Sequence, residues 1–320
     1  METYSRRDIL RMGACLAAGL GLSGVQGMVL AEGLEKIVTG AAKVIWLQAM
    51  SCTGCSVSFL NTESPGPVEI LTEVISLVYH QTISAAQGDD VQKLIDQLSA
   101  QGNYYVVIEG AVPLNMPTAC IMGGKPAETL LPPILRNAKA ILAIGTCAAF
   151  GGIPSAEGNS TTAGSVRSFM ESRGIPIEGR LLNCPGCPTH PQSLLGALAY
   201  VISKGYPKIN PKLLTPDMLY KHSVHDECPR FHYWSKEIFA NKFGEEGCLF
   251  KLGCLGPLSH THCPRSQWNS GVNWCIRAGA PCNACTSEYF AKRRDFPFYR
   301  KSEAYHSANY SEAERRGDQS

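Results

Sequence analysis

Three Cys-x-x-Cys pairs, Cys52/Cys55, Cys184/Cys187 and Cys282/Cys285, and one mixed pair, His225/Cys228, limit what this 320-residue chain can become. At that spacing both donors reach one metal or cluster, whereas a disulfide between them would close a very tight, strained loop. The chain holds 14 cysteines, yet its length and 44% hydrophobic content give it a core that needs no staples. Metal binding is the stronger reading. Spacing alone admits zinc in all-cysteine or mixed Cys/His sites as well as iron–sulfur clusters. Two features lean towards iron. Proline follows Cys187, Cys228 and Cys263, as it closes the bacterial ferredoxin run, and it removes a backbone donor near the sulfur. Residues 228–285 also hold seven cysteines, which with His225 make eight ligands, enough for two four-ligand sites. A row of clusters makes an electron wire, whereas several structural zincs in one such chain have no evident use.

The remaining composition removes other classes. Lys and Arg total 29 against 27 Asp and Glu, a net charge of +2 with no basic block, so nucleic-acid binding has no electrostatic footprint. Residues 1–31 read as a leader: Arg6-Arg7 precedes a Gly/Ala-rich apolar run from Met12 to Leu22, and Val29-Leu30-Ala31 offers a small-residue cleavage site. That is the pattern of twin-arginine export, which carries proteins already folded around a cofactor. Gly19-Leu20-Gly21-Leu22-Ser23-Gly24 spells a dinucleotide fingerprint, but no strand precedes it, so it belongs to the leader. No other apolar run approaches the ~18 residues of a membrane span, so the mature chain is expected to lack an anchor of its own. Residues 301–320 are charged and aperiodic and read as a mobile tail.

Between them lie two stretches of different grammar. In residues 40–204, short apolar runs at 43–48 (KVIWLQ), 104–109 (YYVVIE), 140–144 (AILAI) and 180–183 (RLLN) alternate with helical candidates at 56–60, 69–77, 91–98, 127–136 and 166–173. Runs without polar alternation suit strands buried on both faces, and strand–helix alternation predicts an α/β, doubly wound parallel sheet. Each run leads into a loop with chemistry: Cys52 to Cys55, Gly110 to Pro113, Gly145-Thr146-Cys147, and Cys184 to Cys187. Ligands in such sheets sit beyond the strands' carboxyl ends, so these cysteines are expected to meet at one sheet edge. After the proline-rich linker at 204–216, residues 217–300 lose periodicity and crowd cysteines, as a domain organised around metals would.

Several segments together carry a resemblance to a known family. They are Trp46-Leu47-Gln48 with Cys52-Thr53-Gly54-Cys55; Glu109-Gly110-Ala111-Val112-Pro113; Gly145-Thr146-Cys147 with Gly151-Gly152-Ile153-Pro154; Pro185-Gly186-Cys187-Pro188; His225-Asp226-Glu227-Cys228-Pro229; Leu252 to Pro257; Trp268-Asn269; Asn273-Trp274; and Pro281-Cys282 to Cys285. Over nearly the whole mature chain the sequence resembles the small subunit of periplasmic [NiFe] hydrogenases.

The resemblance implies a flavodoxin-like domain followed by an irregular cluster-binding domain, and a large-subunit partner carrying the Ni–Fe centre. It implies a proximal [4Fe–4S] cluster on Cys52, Cys55, Cys147 and Cys187, and a distal [4Fe–4S] cluster on His225, Cys228, Cys248 and Cys254. A medial cluster would take Cys263, Cys282 and Cys285. Many members have proline where this chain has Cys275 and carry [3Fe–4S] there. A fourth thiolate predicts [4Fe–4S], as in the selenium-containing branch, at a lower potential. Electrons would run between the partner and an external carrier, a multihaem cytochrome c or a membrane quinone-linked subunit, with no catalytic residue in this chain. Cys184 reads as a small core residue. Cys120 resembles one of two extra cysteines of oxygen-tolerant members, but the other position is Gly54, so the modified proximal cluster is not expected. Glu109 reads as a hydrogen-bond acceptor. His80, His190, His222, His232, His260 and His262 read as surface or hydrogen-bonded core, the last two within reach of tuning Cys263. The rival readings are a cytoplasmic H₂-sensing small subunit, which Arg6-Arg7 opposes, and a structural zinc protein.

Overall fold

The computed structural model describes residues 6–21, 24, 28, 30, 32, 42–62, 66–67, 76–86 and 88–291. The tail at 301–320 therefore lies outside the described residues. Five strands form the central sheet: β1 (Lys43–Gln48), β2 (Ser76–His80), β3 (Tyr104–Glu109), β4 (Ala140–Ile144) and β5 (Leu181–Cys184). They are parallel throughout, in the order β2-β1-β3-β4-β5, which is the flavodoxin-like doubly wound order. Every residue of β3 and β4 is buried, and that two-sided burial explains why their sequences show no polar alternation.

Three of the four expected strands lie where their apolar runs placed them, and the fourth starts one residue later and takes in Cys184. β2 corrects the helical reading of 69–77 at its last two residues. The β-favouring Leu77-Val78-Tyr79 forms a half-buried edge strand, and 69–75 lie outside the described residues. The helices are α1 (Arg6–Gly19), α2 (Gly54–Phe59), α3 (Gly88–Gln101), α4 (Ala127–Asn137), α5 (Gly145–Phe150), α6 (Val166–Ser172) and α7 (Pro191–Lys204). α7 had no polar face to betray it: every residue from Ser193 to Ala199 is buried, so no amphipathic stripe appears in the sequence.

Successive strand residues point to opposite faces, and each face has its own cover. Val44, Trp46, Val107, Leu142 and Ile144 pack towards α7 and the N-terminal α1, whose Leu16, Ala17 and Leu20 are buried. Ile45, Leu47, Val106, Ile108 and Ile141 pack under α3, α4 and α6. The segment read as a leader is thus helical from Arg6 to Gly19 and lies against α7. Among the described residues no helix is long and apolar enough to cross a membrane.

Beyond α7 the chain changes character. Its α-helices are four residues long, at Asp217–Tyr220, Phe231–Trp234 and Cys263–Ser266. A small core of Val224, Ala240, Leu249, Leu252, Trp274 and Ile276 includes Cys282, with Cys228, Cys254 and Cys263 packed against it. Cysteines are part of what this region folds around.

Candidate metal centres

Four loops leave the carboxyl ends of β1, β3, β4 and β5 and interlock. Ala49 N–H donates to the Glu109 carbonyl at 2.8 Å, and Thr146 N–H donates to the Gly186 carbonyl at 2.8 Å. This brings Cys52, Cys55, Cys147 and Cys187 together as expected from the strand–loop pattern. Cys147 lies close enough to Cys187 and Cys52 for their charges to act on it, and Cys55 feels Cys147 in turn. Glycine makes the approach feasible. A Cβ on Gly145 would lie 2.6 Å from the Cys55 sulfur, and one on Gly152 would lie 2.8 Å from the Cys147 backbone and sulfur.

Beneath the Cys52–Cys55 turn sits Glu109, only 2% exposed. Its carboxylate accepts from Ser51 Oγ at 2.9 Å, Cys55 N–H at 3.0 Å, Trp46 Nε1 at 3.3 Å and the Ser56 hydroxyl. Glu109 is the acceptor the sequence suggested, and its role is to hold a loop. Ser56 Oγ also meets His80 Nε2 at 3.0 Å, and the His80 ring lies 4.9 Å from that of Trp46. This Glu109–Ser56–His80 chain had no sequence signal, because His80 is 24 residues from Ser56 and stands alone in its strand.

Burial lowers the His80 pKa to about 4, against the opposing pull of Glu109, whereas an unfolded histidine titrates near ~6.5. The native state therefore binds fewer protons between those values. Stability is expected to fall as pH drops from about 6.5 towards 4 and to flatten below. His80→Gln should lose part of that slope in denaturant titrations at several pH values. A variant with an unchanged slope would refute the assignment.

A second group forms in the C-terminal region. Cys254 lies within electrostatic reach of Cys228 and Cys248. The His225 backbone and the Cys254 sulfur both lie beside Gly256, and the His225 ring stands edge-on to Phe231 and Trp234. A third group contains Cys263, Cys275, Cys282 and Cys285: Cys285 feels both Cys263 and Cys275, and Cys282 feels Cys285. The Thr261 hydroxyl lies 3.5 Å from the Cys263 sulfur.

His262 is fully buried, between Ser193 Oγ on α7 and Ser266 Oγ at 2.6 Å. His260 is exposed and meets only the Lys221 carbonyl, at 3.2 Å. Of the two histidines that precede Cys263, only His262 is built into the site. His190 is also core, with Nε2 2.6 Å from the Gln267 carbonyl, while His222 and His232 are exposed. Cys184 is wholly buried in the sheet core and Cys120 nearly so, and burial pushes the Cys184 thiol up to about 12.

Grouped thiols with a histidine are donors of the kind that hold zinc or iron–sulfur clusters. All the cysteines are free. Burial first, and neighbouring thiols second, push Cys147 up to about 11 and Cys285 to about 12, while burial against opposing backbone hydrogen bonds puts Cys254 at about 11. Thiols in such surroundings ionise when a bound cation supplies the compensating charge. Among the described residues no three donors converge tightly enough for a single metal ion.

The comparisons with known proteins agree with this geometry. Residues 220–299 match the family described as the C-terminal part of the NiFe/NiFeSe hydrogenase small subunit. Residues 52–201 match the family described as NADH ubiquinone oxidoreductase, 20 Kd subunit. The chain is 36% identical to the periplasmic [NiFeSe] hydrogenase small subunit of Desulfomicrobium baculatum, over 93% of this chain and 99% of that one. It is 33% identical to the periplasmic [NiFe] hydrogenase small subunit of Solidesulfovibrio fructosivorans, over 92% of each. A solved structure of the Desulfomicrobium baculatum [NiFeSe]-hydrogenase superposes with a TM-score of 0.75 at 35% identity, covering 81% of this chain and 99% of that one.

Proposed function

The chain belongs to the NiFe/NiFeSe hydrogenase small-subunit family, hydrogenases whose active site lies on the large subunit, and we propose that its own task is to relay single electrons between that site and an external carrier. One observation carries the proposal: the three donor sets adjoin one another in series. Cys285 of the third set lies within electrostatic reach of Cys187 in the first, and Cys282 of the third lies within reach of Cys254 in the second. That adjacency supports a succession of proximal, medial and distal sets.

In this reading Cys52, Cys55, Cys147 and Cys187 hold the proximal cluster, His225, Cys228, Cys248 and Cys254 the distal one, and Cys263, Cys275, Cys282 and Cys285 the medial one. Iron–sulfur clusters supply one-electron chemistry with no bond made or broken in the protein. The residues around them fix sulfur positions and exclude water. Thr189 N–H donates to the Cys55 sulfur at 3.4 Å, and the Thr261 hydroxyl lies 3.5 Å from that of Cys263, contacts that tune potential. The proximal end suits a partner: Cys52 and Cys187 are exposed, and apolar Val57, Leu60 and Ile153 stand exposed nearby. A large subunit docking there would bury both thiols and that apolar surface. At the other end Phe231, 45% exposed, packs on His225, a suitable landing place for a multihaem cytochrome c or a membrane quinone-linked subunit. A neutral imidazole in place of a thiolate lowers the negative charge at that exit and tends to raise its potential. Because the relatives are named periplasmic, the Arg6-Arg7 segment is read as a twin-arginine export leader.

Iron and acid-labile sulfide analysis with electron paramagnetic resonance on the purified heterodimer tests the relay. The expected result is three clusters per chain and no [3Fe–4S] signal on oxidation, with such a signal appearing in Cys275→Ala. A [3Fe–4S] signal in the wild-type protein would remove Cys275 from the medial set. Protein without iron would end the relay reading.

A further inference from the structure

The segment Cys282-Asn283-Ala284-Cys285 touches the other two donor sets at its two ends, and it does so in the same way at each. At one end the Thr146 hydroxyl donates to the Cys285 carbonyl. At the other, Leu255 N–H donates to the Cys282 carbonyl at 2.7 Å. Thr146 precedes Cys147 of the proximal set and Leu255 follows Cys254 of the distal set, so each end of the segment is joined to a neighbouring set by a carbonyl-directed bond.

Thr146 is the one side chain in these two bonds. It adjoins Cys147, is 1% exposed, and is itself fixed because its oxygen accepts from Gly186 N–H at 3.0 Å. A single hydroxyl therefore links the loops of Cys147, Cys187 and Cys285, although Thr146 and Cys285 are 139 positions apart. The segment between the joints is held in an uncommon shape: Ala284 has φ of 55° and is 3% exposed. A non-glycine residue in the left-handed region persists where its surroundings over-determine it, and bonds at both ends do so here.

We propose that Cys282–Cys285 is a rigid electronic bridge between the proximal and distal sets, and that Thr146 is a positioning residue that fixes the width of its proximal joint. This rests on the relay reading. The segment's backbone and the hydrogen bonds at its ends provide a continuous bonded path for the electron, and Thr146 keeps that path from opening without touching a cluster.

The test uses the heterodimer with its clusters loaded and compares wild type, Thr146→Val and Thr146→Ser. Valine keeps the size and removes the hydroxyl, whereas serine keeps the hydroxyl. The expected result for Thr146→Val is full iron content and unchanged line shapes for each isolated cluster. The magnetic splitting between reduced proximal and medial clusters should weaken, and reduction of the distal set after an H₂ pulse should slow several-fold. Thr146→Ser should restore both. Amide exchange in the wild type adds a reading independent of any variant: the Leu255 amide should be among the slowest in the chain. Unchanged splitting and rate in Thr146→Val would overturn the proposal, and so would rapid wild-type exchange at that amide. Loss of proximal iron from both variants would also overturn it, by assigning Thr146 to the Cys147 loop alone. If the wild type carries no clusters, the relay reading fails first, and that is seen before any variant is compared.

Discussion

Glu109→Ala is expected to lower the unfolding free energy by about 3–4 kcal/mol, since each orphaned buried donor costs about 1–3 kcal/mol. The substitution strips the acceptor from four donors at once: the Trp46 indole, the Ser51 and Ser56 hydroxyls and the Cys55 amide. They are not equally vulnerable. The Ser56 hydroxyl has no second acceptor at hand, because the Gln48 amide nitrogen and His80 Nε2 both donate to it, the His80 ring accepting at Nδ1 from Thr82 N–H, whereas Ser51 is only half-buried and can find water. Trp46, 2% exposed, has no such recourse. The sum therefore falls short of four full penalties. Glu109→Gln keeps the shape and one carbonyl acceptor, so it should fall between wild type and alanine. The Cys52–Cys55 turn loses its anchor in the alanine variant, and proximal iron should be released more readily by a chelator. Denaturant unfolding of the three proteins, with iron release in parallel, checks both effects. A change below about 1 kcal/mol in Glu109→Ala would mean that water replaces the carboxylate without penalty.

That network also shows where sequence reasoning reached and where it stopped. β1, β3 and β4 were legible because burial on both faces leaves an unbroken apolar run. From those strands and the rule that loops gather at their carboxyl ends, the meeting of the Cys52, Cys147 and Cys187 loops followed. α7 was illegible for the converse reason: burial on nearly every side erased the period that marks a surface helix. The Cys-x-x-Cys pairs were legible because two donors at that spacing share a site by local geometry. Cys248, Cys254, Cys263 and Cys275 have no such local partner, and their grouping came from family resemblance.

Contacts across the fold carried no signal of either kind. Nothing at Thr146 announces Cys285, and nothing at Ser193 announces His262, 69 positions away. His260 and His262 flank Thr261 and look alike in the sequence, yet one is exposed and the other wholly buried. Spacing encodes which donors share a turn. Only the packed fold encodes how one donor set is joined to the next.

Gly145→Ala is expected to empty the proximal site while leaving the medial and distal sets loaded. Two effects act at this position. Gly145 has φ of 80°, and placing a side chain in that region costs about 1–2 kcal/mol whatever surrounds it. In addition, the new Cβ would stand 2.6 Å from the Cys55 sulfur, with the Gly186 carbonyl at 3.6 Å. The sulfur is the atom free to move, since the backbone of α5 is tied to the loop after β5 through the Thr146–Gly186 bond. Relieving the overlap therefore swings Cys55 out of register with Cys52, Cys147 and Cys187, and the cost appears as lost ligation more than as lost fold. Gly158→Ala separates the two effects. Its φ of 83° imposes the same backbone strain, but nothing lies within 4 Å of the added Cβ. Both variants should lose similar stability in denaturant, and only Gly145→Ala should lose one cluster's share of iron and the proximal resonance signal. Full iron in Gly145→Ala would show that the Cys55 sulfur can yield without leaving the site. Equal iron loss in both variants would trace it to backbone strain, and the close approach of Gly145 to Cys55 would then have no part in holding the cluster.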